Sequence, residues 1–308
     1  MAKDLYNKVM QLCIKQLTTA NTKRGLYKAR YAKSNPKDEK SYQLKISKDQ
    51  ARKHIEALLK RDTYNNYNDI FRRLLISGQN RNMMPSVINF MEREQFFREA
   101  LDDLNYTQIA NNYPKDDEEQ EKKLLKKLKN KITNIKDESI DNAKSLWRVY
   151  AKFIINAACF MQEKYLKYEK IETKDTIDII KLATDIANDI PGMGFTLACD
   201  FLKEIGYDIA KPDLHILAFL KQNYNKRLKD KKKEITGSLP KDTPLEEAAA
   251  VKVMDDIAKE SKCDIYALDK LIWLHCSGNY YEKKGKKETF DGIFVTPKSL
   301  QELFLAKI

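Results

Sequence analysis

Turn-formers are scarce in this chain: 9 glycines and 8 prolines among 308 residues, each about 3% against average usages of roughly 7% and 5%. That argues against a sandwich or barrel of many short strands and favours long helices. Histidine is scarcer still, with only His54, His215 and His275, too few for a histidine-built metal centre. The five cysteines (Cys13, Cys159, Cys199, Cys263, Cys276) are odd in number, widely scattered and without a CxxC pair. Such spacing suits reduced thiols on apolar helix faces, not a disulfide framework or a zinc site. No stretch approaches 18 apolar residues, and Met1-Ala2-Lys3-Asp4-Leu5 lacks the apolar run of a signal peptide. The expectation is a soluble, cytoplasmic protein, nucleoid-associated if bacterial, with no membrane partner.

What is present is charge and enough apolar residues to bury. Hydrophobic residues make up 42% and charged residues 33%, so a real core is within reach and wholesale disorder is not expected. There are 57 Lys+Arg against 45 Asp+Glu, net +12. Residues 1–60 hold 15 Lys/Arg and 5 Asp/Glu, which is +10 of that excess. A basic arm of this kind suits a polyanion, either nucleic acid or an acidic membrane surface. On charge alone a solvated, solubilising surface stands equally open.

Along the chain, residues 1–20 read as an amphipathic helix on Leu5, Val9, Leu12, Ile14 and Leu17. A basic, tyrosine-containing stretch follows (23–33), then a short strand candidate on Tyr42, Leu44 and Ile46, and a helix through Lys60 capped by Ser47. Asn66–Met91 reads as helix, a short interruption at Ser77-Gly78-Gln79-Asn80, and helix again after Pro85. Residues 115–136, rich in lysine, read as a solvated helix or insertion from which no core is built. A long apolar helix spans Ala143–Tyr165. Further helices are expected over Thr176–Asn188, Phe195–Ile205, from Leu214, and over 244–259 and 264–275, with 226–233 as a basic loop and Phe290–Thr296 as a strand candidate.

The chemistry concentrates in 172–220. Ile190-Pro191-Gly192-Met193-Gly194 joins two helices: proline ends the first, and the glycines permit positive φ and close approach of backbone to a ligand. The second helix then opens with unpaired N–H groups, a ready anion site able to hold a DNA phosphate without reading sequence. A plain tight turn is the competing reading. Asp213 lies 19 residues past Gly194, directly before an apolar helix. It is either an ordinary N-cap or a carboxylate that stabilises an oxocarbenium-like sugar cation and orients or deprotonates water. His215 reads better as an interior helix histidine, and Trp273 as core, than as site residues. The tyrosines near Lys28 and Arg30 suit either base stacking or packing.

The run Ile190–Ala198, then Gly206, then Pro212-Asp213-Leu214-His215-Ile216 resembles the hairpin, loop and aspartate of the helix-hairpin-helix (HhH-GPD) DNA glycosylases. Leu74-Leu75-Ile76-Ser77-Gly78-Gln79-Asn80 is similar to that family's LLSAQ-type helix end. The likeness covers about 70–100 and 172–220, but not the first 60 residues or 115–136. It implies that Asp213 is the catalytic carboxylate, and that Gly192, Gly194 and Thr196 contact the DNA backbone. It further implies that Gln79 enters the gap left by a flipped nucleotide. The carbonyls of Asn188, Ile190 and Met193 would hold a monovalent cation, potassium or sodium. Thr196 stands where bifunctional members carry a lysine; a hydroxyl forms no imine, so the resemblance implies hydrolysis by water without lyase activity. Lys203 and Lys211 are not at a favourable spacing to replace it. The four-cysteine iron–sulfur pattern is missing, so no cluster is expected.

The implied fold is mainly α and two-lobed, with at most a short β element and the active cleft between lobes. In it, 1–65 is a basic segment packing with the C-terminal lobe, and 66–172 is a helical lobe with its lysine-rich insertion. Residues 173–220 carry the hairpin and catalytic loop, and 221–308 complete the other lobe. The basic tracts 23–33 and 226–233 are expected to flank the DNA. The implied activity is a monofunctional DNA glycosylase acting on double-stranded DNA as a monomer, its target a repair lesion or a hypermodified base of phage DNA. A non-catalytic hairpin DNA-binding protein is the alternative.

Overall fold

Side-chain caps set most of the helix starts. In the computed structural model, which describes residues 4–23, 47–81, 84–165, 175–281 and 292–294, Ser47 and Gln50 form a reciprocal capping box: the Gln50 amide donates to Ser47 Oγ at 3.2 Å, and Ser47 N–H to Gln50 Oε1 at 2.9 Å. Asn66, Asp117, Ser145 and Asp175 cap later helices through their side-chain oxygens. In chain order the helices are α1 (Leu5–Lys23), α2 (Lys48–Leu58), α3 (Tyr67–Gln79), α4 (Met84–Ile88), α5 (Phe90–Ala100), α6 (Tyr106–Asn112), α7 (Glu118–Lys129) and α8 (Glu138–Asp141). They continue as α9 (Leu146–Phe160), α10 (Thr176–Asp189), α11 (Phe195–Glu204), α12 (Leu214–Asn223), α13 (Asn225–Ile235), α14 (Leu245–Ser261) and α15 (Ile265–Ser277). Strands β1 (Asn279–Tyr281) and β2 (Gly292–Phe294) pair antiparallel, with Tyr280 opposite Ile293. The fold is mainly helical, and the strand candidate at Phe290–Thr296 contains β2. No described helix is long and apolar enough to cross a membrane.

The chain divides into two units. The middle unit comprises Asp62–Tyr207 and Leu239–Thr243; the terminal unit comprises Met1–Arg61, Asp208–Ser238 and Pro244–Ile308. This division differs from boundaries at 65, 172 and 220: the hairpin falls in the middle unit and Asp213 in the terminal one.

The middle unit is built around α9, which buries Tyr150, Ala151, Ile154, Ala157 and Ala158 completely and packs against α3, α4, α6, α7 and α8. A helix that is apolar nearly all round belongs inside. Phe97 stacks on Phe90 with ring centroids 4.7 Å apart and meets the edge of Tyr150 at 6.0 Å. Tyr150 donates its hydroxyl to the Leu75 carbonyl at 2.9 Å.

In the terminal unit α1 packs on α2 and α15, so residues from both chain ends share one core. Leu5, Val9, Cys13 and Leu17 supply its α1 side, and Leu268, Leu271 and Ile272 its α15 side. The helix α13 lies along α14.

Three expectations need correction. The lysine-rich 115–136 stretch is not an insertion outside the core: α7 packs on α9 and buries Leu124, Leu125 and Leu128, with Ile132 and Ile135 buried beyond it. The tract 226–233 is helix α13 and not a loop, because Leu228 and Ile235, seven residues apart, bury one side of it. The helix after Pro85 breaks at Asn89, whose left-handed φ of 47° separates α4 from α5. The basic stretch 23–33 and the strand candidate at 42–46 lie outside the described residues, apart from Lys23 at the end of α1.

Candidate functional site

The hairpin is set by its five-residue turn. Helix α10 stops at Asp189, and Ile190 is extended (φ −115°, ψ 96°), as the residue before a proline prefers. Its N–H still donates to Ile186 at 3.1 Å. Gly192 takes φ +94°, which requires glycine. Ile190 and Met193, 0% and 1% exposed, pin the turn from inside, while Pro191, Gly192 and Gly194 face solvent. The Met193 amide donates to the Ile190 carbonyl at 2.9 Å. Gly194 is the N-cap of α11, with φ −72° and no side-chain cap, and its carbonyl accepts from Leu197 and Ala198. A Cβ built on Gly194 would meet nothing within 4 Å. Its lack of a side chain is therefore not forced by its own fold, and the space it leaves faces outward.

Around the turn, Asn188 donates its side-chain amide to Asp242, and Lys164 pairs with Asp189. The Thr184 and Thr243 hydroxyls lie 3.0 Å apart. Burial, then the charges of Asp189 and Asp242, raise the Asp185 carboxyl above its ordinary range. Thr196 is half-buried in the first turn of α11. Lys203, on the same helix, is 5% exposed with its Nζ 3.7 Å from Glu204.

The motif at the end of α3 is turned inward. Leu74 through Gln79 are all buried. Gln79 is 5% exposed and its Oε1 accepts the Phe90 amide at 2.9 Å, tying the start of α5 to the end of α3. Gln79 thus ties two helices of the middle unit together. The exposed residues at this end are Asn80 and Arg81. Sequence reasoning passed over Asp200, a 4% exposed carboxylate that receives Ser77 Oγ and an Arg73 nitrogen, each at 2.9 Å. Its signal was an acidic residue inside the apolar run of α11.

Asp213 caps α12. Its Oδ1 accepts the amides of His215 at 2.9 Å and Ile216 at 3.1 Å. Oδ2 takes no hydrogen bond among the described residues, so one oxygen positions the carboxylate while the other keeps its lone pairs. The neighbouring Cys276 thiol is pushed up to about 12, by burial first and the Asp213 charge second; it stays neutral at physiological pH. The His215 ring makes no hydrogen bond among the described residues. Leu214, directly after Asp213, is 83% exposed. Trp273 is half-buried. The Lys211 amide donates to Asp269 Oδ1 at 2.9 Å.

Helix α13 sorts its cations by face. Arg227 pairs with Glu260, and Lys231 with Glu234 at 2.9 Å and Asp256 at 3.2 Å. Lys226, Lys229, Lys232 and Lys233 are exposed and have no ion pair among the described residues. Comparison of the chain with protein-family models, with curated proteins and with solved structures gives no match.

Proposed function

We propose that the protein is a monofunctional DNA glycosylase that binds duplex DNA, extrudes a damaged or modified base and hydrolyses its N-glycosidic bond. The observation that carries the reading is the hairpin: a solvent-facing Gly192-Met193-Gly194 turn with φ +94° at Gly192, leading into an uncapped helix N-terminus. That arrangement offers backbone amides to a phosphate. Support comes from Asp213, whose Oδ2 is left without a hydrogen bond while Oδ1 fixes the group in place. A carboxylate so held suits stabilisation of an oxocarbenium-like sugar and activation of water. The unpaired lysine face of α13 adds cationic surface of the kind a polyanion recruits. The hairpin and Asp213 belong to different units.

Thr196 in place of a lysine makes water the nucleophile, and buried Lys203 is poorly placed to form an imine. A monovalent cation fits the hairpin to this extent: among the described residues the Asn188 and Met193 carbonyls accept no backbone N–H, and the Ile190 carbonyl accepts one. Such an ion would steady the turn and add positive charge beside a phosphate. The alternative, a non-catalytic hairpin protein, draws on the same Oδ1 bonds, since they also suit Asp213 as a cap and nothing more.

The two readings separate on Asp213→Asn. Asparagine caps helices as well as aspartate does, so the variant keeps the wild-type melting temperature within a degree or two (about 0.3 kcal/mol). Base release from duplexes carrying alkylated, oxidised or hypermodified bases, read as alkali-labile abasic sites, should fall at least about a hundredfold. Full release by the variant would end the catalytic assignment. Tight duplex binding with no release of any base by the wild type would favour the non-catalytic reading.

A further inference from the structure

Beside the hairpin, and within the middle unit alone, lies a pocket of about 190 Å³ lined by Arg81, Glu121, Arg148, Lys152, Pro191 and Gly192, with Ala143 and Val149 in its wall. Three of the lining side chains are cationic and one is anionic, so the pocket is net positive. It is smaller than the roughly 300–1,000 Å³ of pockets that enclose drug-sized ligands, and no aromatic side chain among the described residues lines it. It lacks the stacking surface that would hold a base, and its size and charge suit one small anion.

The cations play different parts. Arg148 is 2% exposed and locked: Nε donates to Glu121 Oε2 at 2.7 Å, Nη1 to the Ile140 carbonyl at 2.8 Å and Nη2 to the Glu118 carbonyl at 3.0 Å. Those bonds use three of the five N–H groups of a guanidinium. Glu121, itself 7% exposed, also faces the Lys152 ammonium at 3.6 Å. Its single charge is thus shared between two cations; a second carboxylate, that of the largely exposed Glu118, stands 3.9 Å from Arg148 Nη2, which leaves Arg81 as the excess cation of the group. Arg81 is exposed, forms no ion pair among the described residues, and sits over the turn: a Cβ built on Gly192 would lie 3.3 Å from its Nη1. A partly buried pocket that keeps one excess cation, Arg81, next to a solvent-facing turn attracts an anion more strongly than scattered surface lysines do, because screening is weaker there.

We propose that this pocket is an anion site for a phosphate group of the DNA backbone, with Arg81 and Lys152 as its adjustable ligands and Arg148 as its fixed floor. The assignment to DNA rests on the DNA-binding reading above. The anion site itself does not. A phosphate here would be gripped by side chains in addition to any phosphate held by the hairpin amides.

The test uses the full chain and the double variant Arg81→Gln/Lys152→Gln, which leaves Arg148 and the core untouched. Affinity for an unmodified duplex is measured by fluorescence anisotropy from 50 to 200 mM NaCl. Losing one phosphate contact should make the slope of log K against log salt shallower by about 0.9, and weaken binding at 0.1 M about eightfold. In parallel, melting temperatures are compared in inorganic phosphate and in chloride at matched ionic strength. An unchanged duplex slope overturns the assignment to DNA. If phosphate still stabilises the wild type but not the variant in that case, the pocket is a site for free phosphate; if it stabilises neither, there is no anion site. A shallower slope in a protein that releases no base supports the pocket and refutes the glycosylase reading alone. A wild type that binds no duplex overturns both DNA assignments.

Discussion

Gly78→Ala should destabilise the middle unit although the substitution favours helix. Gly78 sits near the end of α3, where alanine would ordinarily gain about 1 kcal/mol over glycine. A Cβ there would lie 2.1 Å and 2.2 Å from two ring carbons of Phe153. Carbon atoms in good contact are about 3.5–4.0 Å apart, so the ring or the helix must move by about 1.5 Å. Phe153 has little room to give: it is 3% exposed and stacks on Tyr150, centroids 6.0 Å apart and planes 12° from parallel. Tyr150 is in turn anchored through its hydroxyl to Leu75 on α3. Overpacking of this kind costs about 1–3 kcal/mol. Taking the upper end and subtracting the helix gain leaves a net loss of about 2 kcal/mol. The two tryptophans fall one to each unit, Trp147 in the middle and Trp273 in the terminal. Fluorescence in a Trp273→Phe background therefore reports the middle unit. With a urea m-value of about 2 kcal/mol/M the midpoint should drop by about 1 M. Adding Phe153→Leu should recover part of the loss by making room. A Gly78→Ala midpoint equal to or above wild type would refute the packing argument, as would a double variant weaker than both singles combined.

The other tests bear on charge and pH. Arg148→Met leaves Glu121 buried with only Lys152 nearby and should cost about 3–5 kcal/mol, whereas Arg148→Met/Glu121→Leu should recover most of it. Equal urea midpoints for the single and double variants would show that the pair is not what holds α7 on α9. His275 is buried, which lowers its pKa below the ordinary 6.5. The unfolded chain then takes up a proton that the folded chain refuses, so its contribution is full above pH 6.5 and declines as pH falls below it. Trp273 fluorescence in a Trp147→Phe background should show the terminal-unit midpoint falling between pH 7 and pH 5.5, less steeply in His275→Gln. Identical slopes in the two proteins would remove His275 as the source.

Legibility in the sequence tracked how local the determining contacts are. The hairpin was readable because four consecutive residues decide it: a proline that stops a helix, a glycine at φ +94° and two apolar anchors. Asp213 as a cap was readable for the same reason. Gln79 was not, since what turns it inward is the Phe90 amide, eleven residues on. The lysines of α7 masked the stripe of Leu124, Leu125 and Leu128, which becomes a core face only once α9 is there to receive it. In α13 the buried pair Leu228 and Ile235 is too sparse to announce a helix. Two of its six cations, Arg227 and Lys231, pair with Glu260 and Asp256 on α14, about thirty residues away.

The same contrast ranks the site's parts by what they can bear. Asp213 would cap α12 whatever the protein does, so its position alone argues for no reaction; what goes beyond capping is that both cap bonds fall on Oδ1. Gly194 goes further. Its φ of −72° admits any residue, and a Cβ there would touch nothing. Neither strain nor packing among the described residues requires glycine at this position, and an N-cap favours it over alanine only modestly. Gly194→Ala should lower the melting temperature slightly, because alanine is a poorer N-cap than glycine by about 0.5 kcal/mol and the restricted unfolded chain offsets only part of that. If the turn approaches a phosphate closely, the added methyl group should weaken duplex binding, and the same anisotropy titration reads it. Undiminished binding by a fully stable Gly194→Ala protein would mean that the backbone at this turn is not a contact, and the hairpin would lose its claim on the DNA.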